Sequence, residues 1–384
     1  MTPFISNSPD HRDTMARHRA TVLGNIVMAG EIPSPTGGER KVVEFLYNRF
    51  IEAGLNHVTI DEAGNAGAVL PGNSDRNILV AAHVDKIWSK TVEHRITALE
   101  NAITGPGVAD NALGVAILAS LPRILEILDV TFDANLILVG TTGSLGPGNL
   151  GGMRFFLENT REPIHAGICL EGMDLGRLSY SSLGMVRAEI TVKLDTESDW
   201  PWHGVGTGAI GPLSKIVDCI LGIDRPEKPR TTILLGSIQS GSGYNFPPSS
   251  GVLKFEIRSE SEDVVDRIYH QIEEIVEETS VRDDCETSLS VLARRKSGDI
   301  GFRHPFVRAI REIMESLEIK PRIAPSISEL SALLDHGIPG LTLGITKGDH
   351  RSTREESIVI EDIFTGIAQI VSTLEFIDHY LKES

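Results

Sequence analysis

Apolar residues follow two patterns in the first part of the chain, and the patterns alternate. Residues 78–82, 135–140 and 166–170 are short, nearly continuous apolar runs rich in Ile, Leu and Val. Such runs are typical of strands that are buried on both faces. Between them, stretches such as residues 112–128 place apolar side chains at helical spacing. Because strands alternate with helices, we expect a mainly parallel sheet with helices on both faces.

The pattern changes in the middle of the chain. Residues 186–194, 231–238, 252–258 and 287–295 have strand character, whereas 206–221 and 261–279 have helical character. The order β-α-β-β-α-β is that of a ferredoxin-like unit. A chain of 384 residues is also long enough for two cores. We therefore predict an α/β domain formed by residues 1–184 and 297–384, with an inserted ferredoxin-like α+β lid domain, 185–296. The first ~13 residues are polar, and we expect them to be loosely ordered.

Polar side chains follow the predicted strands of the first domain. His83 and Asp85 come directly after 78–82, Glu171 follows 166–170, and His350 lies soon after the apolar run 341–345. Asp110 lies in a Gly/Pro-rich turn that leads into the predicted helix 112–128. Open α/β sheets bind ligands at the carboxyl ends of their strands. The sequence therefore predicts that these side chains meet at one edge of the sheet.

Two imidazoles with two or more carboxylates suit zinc or a similar divalent ion. A carboxylate between two histidine sites can bridge two ions ~3.5–4 Å apart. Asp85, two residues after His83, is placed to orient the imidazole. Taken alone, His83 and His350 could equally be ordinary polar residues at strand ends. Their joint spacing with Asp110 and Glu171 favours a metal site.

Composition narrows the classes of partner. The net charge of −17 argues against binding to nucleic acids or anionic membranes, which are polyanionic. Three cysteines, Cys169, Cys219 and Cys285, lack metal-type spacing and are interpreted as free thiols. Neither a secretion signal nor a membrane-spanning apolar run is apparent, so we expect a cytoplasmic protein. The Gly-rich stretch GSLGPGNLGG lacks the Lys-Ser/Thr ending of a phosphate loop.

Motifs along nearly the whole chain carry a resemblance to a known family. They are IPSPTGGE, AAHVDK, GVADNALGVA, the LEG at Glu171, WHGVGTGAI, GYNFPPSSG with FEIR, HGIPGLTLG and KGDHRSTREE. In this order the chain resembles the co-catalytic zinc peptidases, which include peptidase T, carboxypeptidases, aminoacylases, acetylornithine deacetylase and succinyl-diaminopimelate desuccinylase. The resemblance implies a zinc-binding α/β domain with an inserted lid through which two copies dimerise.

The resemblance also implies a role for each matching residue near the metal. His83 and Glu171 would bind the first ion, and Asp85 would support His83 in catalysis. Asp110 would bridge both ions, and His350 would bind the second. One or two zinc ions, or another divalent metal, would therefore be the cofactor.

Further roles follow from the same resemblance. His203 in the lid would reach the active site of the partner subunit and stabilise an oxyanion. Asn245 and Arg258 would contact the substrate, and Arg258 would pair bidentately with a carboxylate. A cis peptide bond would join Asp110 to Asn111. The substrate would be a small peptide or an N-acyl amino acid.

The chain departs from this family at one place. The family has two adjacent glutamates after the strand that here ends near Gly140, a general base and a ligand of the second metal. Here Gly143 and Ser144 occupy these positions. Glycine cannot accept a proton, and losing a general base commonly costs ~10²–10⁴ in rate.

Three hypotheses are compatible with this departure. The protein is a zinc-dependent metallopeptidase or amidohydrolase with another proton acceptor, for which Glu329, Glu355, Glu356 or a metal-bound hydroxide are the candidates. Alternatively, it is a non-catalytic relative that binds a peptide or an amino acid. In the third hypothesis, the cluster is purely structural. The retained metal-binding residues favour the first two, and the first is our working prediction.

Overall fold

The structure, a computed structural model, describes residues 3–194, 206–244 and 246–383. The chain divides into two compact units, Met1–Ser182 with Gly298–Ser384, and Leu183–Ser297. Each junction lies within two residues of the predicted one. The helices of the described residues are α1 Pro3–Ser6, α2 Ser8–Arg17, α3 Ala20–Glu31, α4 Arg40–Glu52, α5 Leu113–Leu128, α6 Gly151–Asn159, α7 Ile210–Leu221, α8 Glu262–Asp283, α9 Pro305–Ser316, α10 Leu330–Asp335 and α11 Ile360–Glu383. The strands are β1 Asn56–Ile60, β2 Ala66–Leu70, β3 Asn77–His83, β4 Thr97–Ala98, β5 Ala102–Thr104, β6 Asn135–Thr141, β7 Ala166–Met173, β8 Arg177–Ser179, β9 Ser181–Ser182, β10 Gly184–Lys193, β11 Thr231–Ser240, β12 Ser250–Ser259, β13 Glu286–Arg295, β14 Gly298–Asp299, β15 Arg322–Ile323, β16 Gly340–Thr346, β17 Gly348–Asp349 and β18 Ser357–Val359.

The first unit is built on an eight-stranded sheet in the order β1-β2-β6-β3-β7-β16-β8-β15. The central strands β6, β3, β7 and β16 are parallel, whereas β1 and β2 pair antiparallel at one edge. The strand β3 is buried over its whole length. This confirms the prediction of a mainly parallel sheet, because both faces of the central strands are covered.

Alternate residues of β3 face different helices. Ile78, Val80 and Ala82 share one apolar core with residues of α3, α4, α5 and α11. Leu79 and Ala81 share another with residues of α6 and α10. This two-residue alternation follows from the pleat of a strand. The predicted helices on both faces of the sheet are therefore confirmed.

Contrary to the expectation from the sequence, the run Val108–Leu128 is long and apolar enough to cross a membrane by length and composition alone. However, 72% of its most apolar window is buried inside the protein. Burial of this kind is expected for a helix at the centre of an α/β core.

The expectation of a loose N-terminal start was wrong. Residues 8–17 form α2, which packs against the long helix α11. Ser8 and Met15 are completely buried there, and the Ser8 and Ser372 hydroxyls are 2.7 Å apart. The polar composition concealed this helix because only every third or fourth residue faces the core.

The same interface contains a half-buried acid, Glu375, whose side chain is 20% exposed. Burial raises the pKa of Glu375 to about 7. His11 Nδ1 lies 3.8 Å from Glu375 Oε2, and burial lowers the pKa of this imidazole against the opposing charge of Asp10. The folded state binds the Glu375 proton more tightly than the unfolded state does, so protonated Glu375 stabilises the fold at low pH. This stabilisation is lost as the pH rises from 4.5 to about 7. We expect the Glu375→Gln variant to gain roughly 1–3 kcal/mol of stability relative to the wild type between pH 5 and pH 8.

Urea unfolding at several pH values measures this difference. The exposed Glu315 on α9 supplies a matched control, since Glu315→Gln makes the same substitution at the surface and should change stability by less than about 0.5 kcal/mol. A pH-independent difference for Glu375→Gln would contradict the assignment.

The second unit is a four-stranded antiparallel sheet in the order β11-β12-β10-β13. The helices α7 and α8 contribute residues to its core together with β10 and β12. The chain order β10-α7-β11-β12-α8-β13 is the predicted ferredoxin-like order, which is confirmed.

Candidate functional site

Three of the predicted metal ligands lie together at the carboxyl edge of the sheet. His83 ends β3, Glu171 lies in the last part of β7, and Asp110 lies in the turn before α5. One ligand atom from each of these residues lies within 4.8 Å of the other two. His83 Nε2 is 3.1 Å from Asp110 Oδ1. The cluster therefore has the spacing and the donor types of a divalent-metal site.

The turn that carries Asp110 is fixed by its neighbour Asn111. The Asn111 amide donates to the Leu170 carbonyl at 3.0 Å and accepts from the Gly172 N–H at 3.0 Å. Both partners flank Glu171, so the amide ties the turn to β7. The Asp110–Asn111 peptide bond is cis, as the family resemblance implied.

The carboxylate of Asp85 stands behind His83. Asp85 Oδ1 is 3.3 Å from His83 Nδ1, and Asp85 is completely buried. Its other oxygen accepts from the Thr36 hydroxyl at 2.8 Å and from the N–H groups of Ser144 and Leu145 at 3.0 and 2.8 Å. The Asp85 backbone carbonyl is closer still, 3.1 Å from His83 Nδ1, so Asp85 holds the Nδ1 side of the ring and leaves Nε2 facing Asp110.

Charge is concentrated at this site. Burial alone would lower the pKa of His83, but hydrogen bonds to Asp110 and Asp85 raise it well above its usual value. Burial raises the pKa of the Glu171 carboxyl, and the charge of Asp110 adds to this against the opposing effect of His83. Close carboxylates repel one another when too little positive charge lies between them, and a divalent cation would relieve this repulsion. The residues present therefore fit a bound metal ion.

Two further carboxylates reach the loop 143–144, where the family has its paired glutamates. Glu39 Oε1 accepts from the Gly143 N–H at 3.1 Å. Glu329 Oε1 accepts from the Ser144 hydroxyl at 2.5 Å. Gly143 has φ of +60°, a conformation that favours glycine over any residue with a side chain. The loop thus lacks acidic side chains of its own but is contacted by two from elsewhere in the chain.

The remaining predicted site residues lie apart from this cluster or outside the described residues. His350 follows β17, is exposed, and is not one of the three clustered ligands. Arg258 lies on β12 of the second unit, where its Nε pairs with Glu256. His203 and Asn245 lie outside the residues that the structure describes. The roles of all four residues stay predictions.

Several contributors were not recognised from the sequence. Thr36 in the IPSPTGGE turn donates its hydroxyl to the Asp85 carboxylate. Lys86 is buried and donates to three backbone carbonyls at the end of α3. The signal for Lys86 was its position, directly after a buried strand and beside Asp85, where a charged side chain needs partners.

Family models match both parts of the chain. Residues 65–197 match the family described as Peptidase family M28, and residues 187–284 match the Peptidase dimerisation domain of the M20 peptidases. No curated protein matches the sequence.

Solved structures of similar fold include three peptidases. A di-peptidase, Dug1p from Saccharomyces cerevisiae, has a TM-score of 0.78 at 11% identity, covering 98% of both chains. The M20 family metallo-carboxypeptidase Sso-CP2 from Sulfolobus solfataricus has a TM-score of 0.75 at 14% identity, and the match covers 93% of this chain and 99% of that one. Aminopeptidase PepT from Bacillus cereus has a TM-score of 0.72 at 17% identity, and the match covers 93% of this chain and 98% of that one. The resemblance seen in the motifs is thereby confirmed. Segments of the chain thus match the models described as Peptidase family M28 and Peptidase dimerisation domain, and its fold is similar to that of these solved peptidases.

Proposed function

We propose that the protein is a zinc-dependent hydrolase of amide bonds in small peptides or N-acyl amino acids. The observation that carries the proposal is the cluster of His83, Asp110 and Glu171, with Asp85 held in place behind the imidazole. The fold similarity to a di-peptidase, a metallo-carboxypeptidase and an aminopeptidase supports this reaction class. An α/β sheet that gathers metal-ligand side chains at its carboxyl edge is suited to such chemistry.

The site residues would have three roles, which are metal binding, orientation of the His83 imidazole and substrate binding. His83, Asp110 and Glu171 would hold one zinc ion, and His350 would serve a second ion together with Asp110. A bound zinc ion supplies Lewis acidity and lowers the pKa of water. Asp85 keeps the His83 imidazole oriented. Arg258 would hold a substrate carboxylate, and its fork geometry suits bidentate pairing. His203 and Asn245 would complete the substrate site.

We further propose that the protein is a homodimer that associates through the second unit. The match of residues 187–284 to a peptidase dimerisation domain supports this assembly. His203 would then act in the partner's active site. A cytoplasmic location stays a prediction from the sequence.

A second candidate function is binding without catalysis. It is favoured by one observation, the replacement of the paired glutamates by Gly143 and Ser144. In that case the cluster would hold a metal ion that anchors a peptide or amino-acid ligand, with no turnover.

Metal content and turnover together test these functions. The full chain is purified with added zinc and desalted, and metal per chain is measured by elemental analysis. Two ions per chain would indicate that both sites form, and one ion would indicate a mononuclear hydrolase. The absence of bound metal would contradict the metallohydrolase. A screen of dipeptides and N-acyl amino acids then separates an enzyme from a binder, which would show ligand-induced thermal stabilisation without product.

A further inference from the structure

The structure brings a carboxylate from a distant part of the sequence to the loop that lacks its own. We propose that Glu329 is the proton acceptor of the site and takes the place of the glutamate missing at residues 143–144. The inference rests on the hydrolytic function proposed above and names the residue that would carry its proton transfer.

Strand register places Glu329 on the correct face of the sheet. In the parallel pair of β3 and β6, His83 is opposite Thr141. Residues two apart share a face, so His83 and Thr141 lie on the face of Leu79, Ala81 and Val139, which is covered by α6 and α10. Glu171 follows Cys169 on that same face. Glu329 directly precedes α10, so it lies on the same face as two of the metal-ligand side chains.

Hydrogen bonds fix one oxygen of this carboxylate. Glu329 Oε1 accepts from the Ser144 hydroxyl at 2.5 Å and from the Thr141 hydroxyl at 3.4 Å. Glu329 is only 2% exposed. Among the described residues, no donor bonds Oε2. A buried carboxylate with one oxygen anchored and the other free of protein donors is suited to accept a proton from a bound water.

The position of Glu329 favours proton transfer over metal ligation. The three-residue cluster with mutual distances within 4.8 Å does not include Glu329. Its charge nevertheless reaches the cluster, because it adds to the burial and the neighbouring charges that raise the pKa of Glu171. The other carboxylate at the loop, Glu39, bonds the Gly143 N–H and is not among the main causes of the pKa shifts of His83 and Glu171.

Hydrolysis would proceed in two stages, water addition and loss of the amine. The water oxygen forms a bond to the carbonyl carbon while one water proton passes to Glu329. The carbon–nitrogen bond then breaks, and the proton passes from Glu329 to the departing amine nitrogen. The products are a carboxylic acid and an amine, and Glu329 returns to its ionised form.

The Glu329→Gln variant of the zinc-loaded full chain tests the proposal. We expect kcat to fall by roughly 10²–10⁴-fold, with KM and zinc content close to those of the wild type. The acid limb of the kcat/KM pH profile should disappear, because it reports the ionisation of the base. Glu39→Gln is the matched control, a buried carboxylate at the same loop, and should change kcat only a few-fold.

A second variant keeps the test decisive if glutamine disturbs the fold. Glu329→Ala leaves space for a small carboxylate, so added formate should restore part of its turnover, which a purely structural role would not permit. Wild-type kcat in Glu329→Gln, or the absence of formate rescue in a folded Glu329→Ala protein, would overturn the proposal. Loss of zinc from Glu329→Gln would also overturn it, and would make Glu329 a ligand. A wild-type protein that binds zinc but hydrolyses none of the screened substrates would overturn both this inference and the proposed function.

Discussion

Replacing His83 with alanine is expected to abolish hydrolysis and to remove the ion held at the first metal site. Only three described ligands cluster there, and His83 is the sole nitrogen donor among them. Its removal would leave Asp110 and Glu171, two carboxylates near each other without the imidazole between them. We expect zinc affinity and kcat/KM each to fall by at least about 10³-fold, since a catalytic zinc needs three protein ligands. Elemental analysis after desalting and a hydrolysis assay measure the two effects.

The exposed His18 provides the control for His83. The His18→Ala variant should retain metal content and turnover, and both variants should unfold cooperatively. Full turnover with normal metal content in His83→Ala would contradict the assignment of the site. Normal turnover with half of the metal content would instead indicate that catalysis depends on a second site.

Replacing Lys86 with methionine is expected to destabilise the first unit by about 2–4 kcal/mol. Lys86 is 2% exposed, and its Nζ donates to the carbonyl oxygens of Ala29, Gly30 and Ile32 at 2.9, 2.8 and 3.0 Å. These carbonyls end α3 and have no further turn of helix to accept from. Methionine would fill the volume but would leave the carbonyls without a donor.

Urea unfolding measures the loss in Lys86→Met. Lys41 is exposed on α4, so Lys41→Met makes the same substitution at the surface and should change stability by less than about 0.5 kcal/mol. Equal stabilities for the two variants would show that the three hydrogen bonds contribute little.

We also expect weaker zinc binding in Lys86→Met, because the lysine stem packs against Gly107 in the turn before Asp110.

The sequence predicted the fold because its hydrophobic pattern is unusually clear. The runs 78–82 and 166–170 are parallel central strands, and parallel strands end on the same edge of a sheet. This rule alone brings His83 and Glu171 together. Asp110 could be added because a Gly/Pro-rich turn followed by an apolar helix returns the chain to the same edge.

Other parts of the site depend on contacts that no local pattern encodes. Glu329 bonds Ser144, which lies 185 residues away in the chain. No local pattern shows this contact, so the sequence offered Glu329 only as one of several candidate proton acceptors. Lys86 was missed because its partners are backbone carbonyls, which carry no signal in the side-chain sequence. The N-terminal helix α2 was missed because its polar residues hide a narrow buried stripe.

The strand order of the first unit has a consequence for synthesis on the ribosome. The strand β16, residues 340–346, pairs with β7, and α11 packs on α2 near the start of the chain. Until these last segments emerge, the nascent chain must keep an unpaired edge at β7 and leave the face of α2 that carries Met15 uncovered. Exposed edges and faces of this kind promote aggregation. The described strands of the second unit pair with one another, so this unit can complete its core earlier. A partly synthesised chain would therefore contain a folded second unit within an incompletely folded first unit.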